Sequence, residues 1–216
     1  EPTPRAFFRG TGNLTPMTGR QTASKTEKEP REIKLAHSPD SDDAFMFYAL
    51  ATHKLTTPGY KYIHVLSDIQ ALNEAALRET YDVTALSFAA YPSLRDTYIL
   101  LDTGASFGEG YGPVVVSTKA LKPQELKGLR IAVPGLKTSA YLTLKLFEPD
   151  FEAVVMPFDK IIEAVKSDVV EAGLLIHDDS FSSRNLACIA SLTWVSGGRN
   201  SPAFRFLLAA TPCAAL

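Results

Sequence analysis

Short apolar runs alternate with amphipathic stretches from residue 33 onward. The runs at 33–37, 62–66 and 82–86 have the length and composition of buried strands, and the segments between them repeat apolar residues at helical spacing. Ser67, with Gln70 three positions later, has the spacing of a capping box and predicts the start of the second helix. This strand–helix order predicts a parallel sheet with right-handed crossovers. The apolar faces of the two helices are predicted to comprise Phe45, Met46, Ala49 and Leu50, and Ile69, Leu72, Ala75 and Ala76.

The same pattern recurs after a glycine-rich passage at 104–112 and a β-branched run at 114–116, which we interpret as the crossing to a second lobe. Thr138 and Ser139 predict a helix N-terminus, and a later helix carries an amphipathic stripe at i, i+3, i+4 and i+7. The stripe consists of Phe158, Ile161, Ile162 and Val165, and strands are predicted at 129–133, 152–156 and 171–176. The sequence therefore predicts an α/β protein of two small lobes joined by extended segments.

The chain divides into four predicted regions. Residues 1–32 are rich in Pro, Thr, Gly, Arg and Lys without a periodic apolar face, and they are predicted to be a disordered N-terminal extension. They contain no apolar core of the kind that a secretory signal has. Residues 33–110 form the predicted first α/β lobe and 111–190 the second. Residues 191–216 form a predicted aberrant C-terminal tail.

Composition narrows the class of protein. The 216 residues are 45% hydrophobic and 21% charged, as in a globular protein, and the net charge of −2 provides no basic field for nucleic acid. No apolar run approaches the length of a membrane span. Cys188 and Cys213 lie far apart without metal-ligand spacing, which favours reduced thiols and a cytoplasmic setting. No nucleotide or nucleophile motif is present, so no cofactor or metal is expected. The pattern does not indicate an oligomeric state.

Polar side chains follow the carboxyl ends of several predicted strands. His177 comes directly after the apolar run 174–176, and Ser38, Ser87 and the pair Thr138-Ser139 follow other strands. Parallel strands share that edge, where open α/β sheets bind ligands. A helix N-terminus there can hold a carboxylate, and an imidazole can exchange a proton near neutral pH. Each residue alone also has a structural interpretation as a cap, a turn residue or a histidine that bonds its own loop.

Five motifs, in order along the chain, carry a family resemblance. They resemble the menaquinone-biosynthesis family of the futalosine pathway over residues 33 to about 194. The motifs are Ser38-Pro39-Asp40-Ser41-Asp42-Asp43-Ala44-Phe45, Leu86-Ser87-Phe88, Gly108-Glu109-Gly110-Tyr111-Gly112-Pro113, Gly135-Leu136-Lys137-Thr138-Ser139-Ala140 and Leu175-Ile176-His177-Asp178.

The resemblance implies a fold, a reaction and a set of site residues. The fold is that of type II periplasmic binding proteins, with two lobes that close over a small acid. The reaction of the most similar branch is a cofactor-independent lyase reaction that converts cyclic dehypoxanthinyl futalosine to 1,4-dihydroxy-6-naphthoate. His177 would be the catalytic base, and the small carboxylate substrate would contact Ser38, Asp42, Ser87, Thr138, Ser139 and Ile176. The substrate carboxylate would sit on the helix end at Thr138-Ser139.

Two departures from the family pattern leave alternatives open. Asp42 stands where the similar branch has asparagine, which replaces a donor-and-acceptor amide by an acceptor-only anion. After Trp194 the chain leaves the family pattern altogether, which predicts an altered or truncated C-terminal part and an incomplete first lobe; a frameshift in the gene is one hypothesis for it. A chorismate dehydratase and a non-catalytic carboxylate-binding protein of the same fold are the alternative functions.

Overall fold

The computed structural model describes residues 29–102, 104–106, 112–176, 186–196 and 206–211. Side chains are described up to residue 190 of that range and at Leu192. The strands are β1 (Arg31–His37), β2 (Tyr60–Leu66), β3 (Val83–Thr84), β4 (Val114–Ser117), β5 (Arg130–Val133), β6 (Glu152–Val155), β7 (Ala172–Leu175), β8 (Ala187–Ser196) and β9 (Phe206–Thr211). The helices are α1 (Ser41–Ala51), α2 (Ile69–Ala76), α3 (Ser139–Phe147) and α4 (Ile161–Lys166).

The first lobe is a three-stranded parallel sheet in the order β2-β1-β3. The central strand β1 ends at His37. The residues that directly follow β2 and β3 continue the backbone hydrogen bonding to β1 past the ends of those two strands. Ser67 N–H donates to the His37 carbonyl at 3.2 Å, and Ala85 N–H donates to the Ala36 carbonyl at 2.8 Å. The predicted parallel βαβαβ unit is confirmed, and the residues after β1 and β3 lie side by side at one edge.

The second lobe is a six-stranded mixed sheet in the order β6-β5-β7-β4-β8-β9. Strands β5, β6 and β7 are parallel, whereas β4 pairs antiparallel with β7 and β8, and β9 pairs antiparallel with β8. The three strands predicted in this lobe are confirmed to within one or two residues. The antiparallel half of the sheet was not predicted beyond the apolar run at 114–116.

Helices cover both faces of the second sheet because side chains alternate along its strands. Leu174 on β7 packs on one face with Leu144 of α3. The next residue, Leu175, packs on the other face with Ile161 and Val165 of α4. These side chains are fully buried, so the predicted amphipathic stripe of α4 is confirmed.

Gly173 on β7 provides a stability prediction. A Cβ at this position would lie 2.5 Å from Ile161 Cγ2 and 2.9 Å from Val165 Cγ2, so α4 would have to move away from the sheet. We expect Gly173→Ala to lower the free energy of unfolding by about 1–3 kcal/mol in chemical denaturation, as for other overpacked cores. Val169→Ala, at a position that is 54% exposed, should change it by less than about 0.5 kcal/mol. Equal effects of the two changes would contradict this packing.

One local prediction for the first lobe is wrong, and one helix leaves its apolar residues exposed. The side chain that caps α2 is Asp68, which accepts from Ala71 N–H at 2.9 Å, and the Ser67–Gln70 capping box does not form. The apolar face of α1 is not covered: no residue of this helix is buried, and Phe45 is 88% exposed. Asp at the N-cap is as effective as Ser, and helical spacing shows that a helix has an apolar side without showing what covers it.

Three further findings concern the chain's C-terminal part and its setting. β8 continues to Ser196 across the predicted boundary at residue 190, and the four-region division stays a prediction. Cys188 on β8 is disulfide-bonded, which corrects the expectation that the cysteines are reduced. Within the described ranges, no helix is both long enough and apolar enough to cross a membrane.

Candidate active site at the facing strand ends

The loop after β1 is held tightly around Ser38, which is buried. Ser38 N–H donates to Asp43 Oδ2 at 2.6 Å, and the Ser38 hydroxyl oxygen accepts from Asp40 N–H at 3.0 Å. Both bonds are local: one lies within the loop that precedes α1, and the other joins that loop to the first turn of α1. Because its oxygen is an acceptor here, the Ser38 hydroxyl keeps its own proton for another partner.

His37, the last residue of β1, also holds this loop through its side chain. Its Nδ1 lies 2.9 Å from the Ser38 carbonyl oxygen, which can only accept, so Nδ1 carries a proton. Its Nε2 lies 3.1 Å from His64 Nδ1 on β2, and its ring stacks on Phe47 at 4.5 Å between centroids. The neutral pair is satisfied when His64 Nδ1–H donates to His37 Nε2. His64 Nε2 is then a buried acceptor without a partner among the described residues.

This histidine pair makes stability depend on pH. Burial, the His37 ring and then His53 lower the pKa of His64 below its ordinary value of 6.5. The unfolded chain therefore binds the proton more readily than the folded protein, and stability should fall as pH drops below about 6.5. We expect His64→Gln to lose much of this fall in thermal unfolding between about pH 7 and pH 5. His53→Asn should retain most of it, because His53 is the smallest of the three causes; an unchanged slope in His64→Gln would refute the assignment.

Ser87 follows β3 and is held by Asn73 of α2. Asn73 Oδ1 accepts from Ser87 N–H at 2.8 Å, and Asn73 Nδ2 donates to the Ser87 hydroxyl oxygen at 3.0 Å. Asn73 is completely buried, whereas Ser87 is partly exposed. The amide therefore fixes both the backbone and the side chain of a predicted substrate-binding residue.

Thr138 and Ser139 begin α3 in the second lobe, directly after the turn that follows β5. Thr138 is buried and uses its hydroxyl in both directions, accepting from Tyr141 N–H at 3.1 Å and donating to the Gly135 carbonyl at 2.8 Å. The predicted cap is confirmed. Ser139 is partly exposed, and its hydroxyl oxygen accepts from Ala89 N–H of the first lobe at 3.3 Å.

The two lobes meet at these residues. Besides the Ala89–Ser139 bond, Lys137 N–H donates to Gln70 Oε1 at 3.3 Å, and Asn73 Nδ2 lies 3.4 Å from the Lys137 carbonyl oxygen. The approach is close enough that any Cβ at Gly135 would overlap the Gln70 side chain. Glycine at position 135 thus permits the turn after β5 to lie against α2, which brings Ser87 next to the start of α3.

The remaining predicted site residues take no part in the hydrogen bonds described between the two lobes. Asp42 is exposed on α1, and its Oδ2 accepts from the Ser106 hydroxyl at 2.5 Å. Ile176 is partly buried and packs against the core face that contains Leu174. His177 lies outside the described residues, so its predicted position beyond β7 is an expectation from the sequence alone.

Two residues at this site were not predicted from the sequence as functional. Asn73 and Gln70 are the α2 side chains that reach the second lobe. The available signal was an amide in the middle of a helix, at the position between Leu72 and the buried Ala75-Ala76 pair, where a polar group must find partners.

Comparison with known proteins identifies related sequences over this region. A family model described as menaquinone biosynthesis matches residues 33–193. The chain is 41% identical over 150 residues to a 1,4-dihydroxy-6-naphthoate synthase of Thermus thermophilus, with 69% of this chain and 54% of the relative covered. It is 37% identical over 160 residues to a protein of the same name from Streptomyces coelicolor, covering 71% and 55%. The chain spans about half the length of the curated relatives it matches.

Solved structures show the same architecture. A crystal structure of an Archaeoglobus fulgidus protein matches with a TM-score of 0.68 and 49% identity, over 73% of this chain and 59% of that one. The alkanesulfonate-binding protein of Xanthomonas axonopodis pv. citri, bound to MOPS, matches with a TM-score of 0.57 and 16% identity, over 76% and 62%. The second likeness is one of fold alone. The predicted type II periplasmic-binding-protein-like fold is confirmed.

Proposed function

The chain belongs to the menaquinone biosynthesis family, and we propose that it carries the substrate cleft of a lyase that converts cyclic dehypoxanthinyl futalosine to 1,4-dihydroxy-6-naphthoate. Curated relatives at 41% and 37% identity bear the name of that synthase. The proposal concerns a small-molecule carboxylate as substrate. The cytoplasmic location inferred from the sequence stays a prediction.

The observation that carries the proposal is the junction of Ser87 with the start of α3. Asn73 bonds Ser87 and reaches the Lys137 carbonyl with the same nitrogen, and Ser139 bonds the first lobe at Ala89. Hydroxyl groups from both lobes thus flank the N-terminus of a nine-residue helix. Free backbone N–H groups and the positive end of the helix dipole favour a carboxylate at this place.

The proposed chemistry needs one base and a fixed substrate. The substrate carboxylate would accept hydrogen bonds from the Ser87 and Ser139 hydroxyls and from the first N–H groups of α3. His177, one residue past Ile176 and two past the end of β7, would then take a proton from the held substrate, which starts bond cleavage. Thr138 would act through its backbone and as the cap of α3, because its hydroxyl is used in both directions.

Asp42 bears on the choice of substrate. A free carboxylate here would repel an acidic ligand, but its Oδ2 is occupied by the Ser106 hydroxyl. Asp42 is also exposed, so water screens its charge. We therefore infer that Asp42 contributes to loop structure near the cleft and adds only weak repulsion to binding.

Turnover assays with purified protein test the proposal. We expect formation of 1,4-dihydroxy-6-naphthoate from cyclic dehypoxanthinyl futalosine without added metal or cofactor, and no dehydration of chorismate. Turnover of chorismate alone would establish the dehydratase alternative. Tight binding of 1,4-dihydroxy-6-naphthoate without turnover of either acid would establish a carboxylate-binding protein instead.

A further inference from the structure

We propose that Asn73 is a positioning residue that orients the Ser87 hydroxyl so that it donates to the carboxylate of the ligand; this inference rests on the proposed function. Asn73 lies on α2 and has no exposed surface, and its side chain forms hydrogen bonds with Ser87 and with the Lys137 carbonyl. Its effect on a ligand would therefore pass through those two neighbours.

Two neighbours independently fix which way the Asn73 amide faces. Ser87 N–H can only donate, so the side-chain atom 2.8 Å from it must be the carbonyl oxygen Oδ1. The Lys137 carbonyl can only accept, so the atom 3.4 Å from it must be the amino nitrogen Nδ2. The reversed amide would place its amino group against the Ser87 N–H, donor to donor, and its oxygen against the Lys137 carbonyl, acceptor to acceptor.

This orientation determines the direction of the Ser87 hydroxyl. Nδ2 has no lone pair to offer and donates to Ser87 Oγ at 3.0 Å. The hydroxyl therefore accepts from Asn73 and must send its own proton elsewhere. Since Ser87 is partly exposed at the carboxyl edge of the first sheet, an anion in the cleft is the partner that this proton fits.

Ser139 shows the same arrangement from the other lobe. Its oxygen accepts from Ala89 N–H at 3.3 Å, which leaves its proton to donate as well. A backbone N–H and a buried amide thus turn two hydroxyls, one from each lobe, into donors. Thr138 differs, because it donates to the Gly135 carbonyl. An anion matches two O–H donors better than a neutral or cationic ligand does.

A buried amide on a helix would be destabilising without these partners, because a desolvated polar group costs free energy unless it is bonded. An isolated structural role would be met by the bonds to Ser87 alone. The additional contact of Nδ2 with Lys137, the residue before the α3 cap, links the same amide to the second lobe. Asn73 therefore links the direction of the Ser87 proton to the contact between the two lobes.

A double-mutant cycle tests the inference, with 1,4-dihydroxy-6-naphthoate as the probe and its Kd as the readout. Asn73→Asp keeps the shape and the acceptor for Ser87 N–H but replaces the Nδ2 donor by an acceptor, which turns the Ser87 proton inward. We expect Asn73→Asp to weaken binding by about 10- to 100-fold, the range for a lost hydrogen bond to a charged group. In the Ser87→Ala background the same change should weaken binding by no more than about 3-fold, because no hydroxyl remains to be turned.

A pH profile separates orientation from a general loss of structure. Protonation of the new carboxyl gives it an O–H that can donate to Ser87 as Nδ2–H does, and burial raises the pKa of such a group. We expect the affinity of Asn73→Asp to recover several-fold between pH 7.5 and about pH 5.5, while that of the wild-type protein changes little. Asn73→Ala, which cannot titrate, should bind several-fold more weakly than the wild type at all these values and serves where Asn73→Asp does not fold.

The outcomes distinguish the two claims. Strong non-additivity with Ser87→Ala and acid recovery would support the inference. Additive effects, which are equal losses in both backgrounds, without acid recovery would overturn the inference while the proposed function stands. A wild-type protein that does not bind 1,4-dihydroxy-6-naphthoate would overturn the proposed function, and the inference with it.

Discussion

Replacing His177 with alanine should lower the turnover of cyclic dehypoxanthinyl futalosine by about 10²- to 10⁴-fold, the contribution expected of a general base. The affinity for the product should change much less, since the carboxylate contacts proposed here come from Ser87, Ser139 and the start of α3. The measurement is kcat under saturating substrate, with the product Kd measured in parallel. A loss confined to kcat is the signature of a group that acts in the chemical step.

The pH profile gives this prediction a second readout. A neutral imidazole is required, so kcat of the wild-type protein should fall as pH drops through the pKa of His177, and His177→Ala should have lost that limb. His53→Asn is the matched control, because His53 is exposed and has a positive φ of 56° that asparagine tolerates. Full activity of His177→Ala, or an equal loss in His53→Asn, would contradict the assignment of the base.

Removing both cleft hydroxyls with Ser87→Ala and Ser139→Ala together should weaken binding of 1,4-dihydroxy-6-naphthoate by about 10²- to 10⁴-fold. Each hydrogen bond to a charged group contributes roughly 1.5–3 kcal/mol, and the hydroxyls come from different lobes. The double variant would retain the Ser87 N–H bond to Asn73 and the Thr138 cap, so its fold should persist. Titration calorimetry measures the change.

Ser93→Ala is the control for this loss. Ser93 is an exposed hydroxyl in the 3-10 turn Tyr91–Ser93 of the same lobe, and its removal should leave the Kd within about 2-fold, as expected of a surface change of less than about 0.5 kcal/mol. If the double variant binds the product as tightly as the wild type does, the carboxylate is not held by these hydroxyls, and the proposed seat at α3 is wrong.

The positions of the strand ends could be predicted because they depend on local pattern. The run 33–37 and the run 171–176 are apolar, short and bounded by polar residues, and both are strands in the structure within two residues. Thr138 was predicted as a cap, and it caps α3. Once the order of strands and helices implied a parallel arrangement, the residues after each strand had to lie at one edge.

Long-range partners could not be predicted in this way. Sequence spacing suggested Ser67 as the cap of α2, but Asp68 is one residue closer to the helix and provides the capping oxygen. Asn73 looks like an unfavourable interruption of an apolar face until Ser87 and Lys137 are seen beside it. Its role depends on a residue 64 positions away in the chain, and no local pattern records such a contact.

Whether another element packs on α1 also depends on residues far away in the sequence. Its apolar residues recur at helical spacing, yet Phe45 is 88% exposed and Tyr48 50% exposed. The pattern correctly predicts a helix at Ser41–Ala51, but it does not show whether another element covers that helix. The same limit applies to β8, whose pairing with β4 joins segments that are far apart in sequence.

A crystal structure with bound 1,4-dihydroxy-6-naphthoate would show directly where the carboxylate binds. We expect the ligand carboxylate within hydrogen-bond distance of Ser87 Oγ, Ser139 Oγ and the first N–H groups of α3, with the His177 ring on the opposite side of the ligand. A carboxylate bound away from α3, or a His177 ring turned away from the ligand, would contradict it.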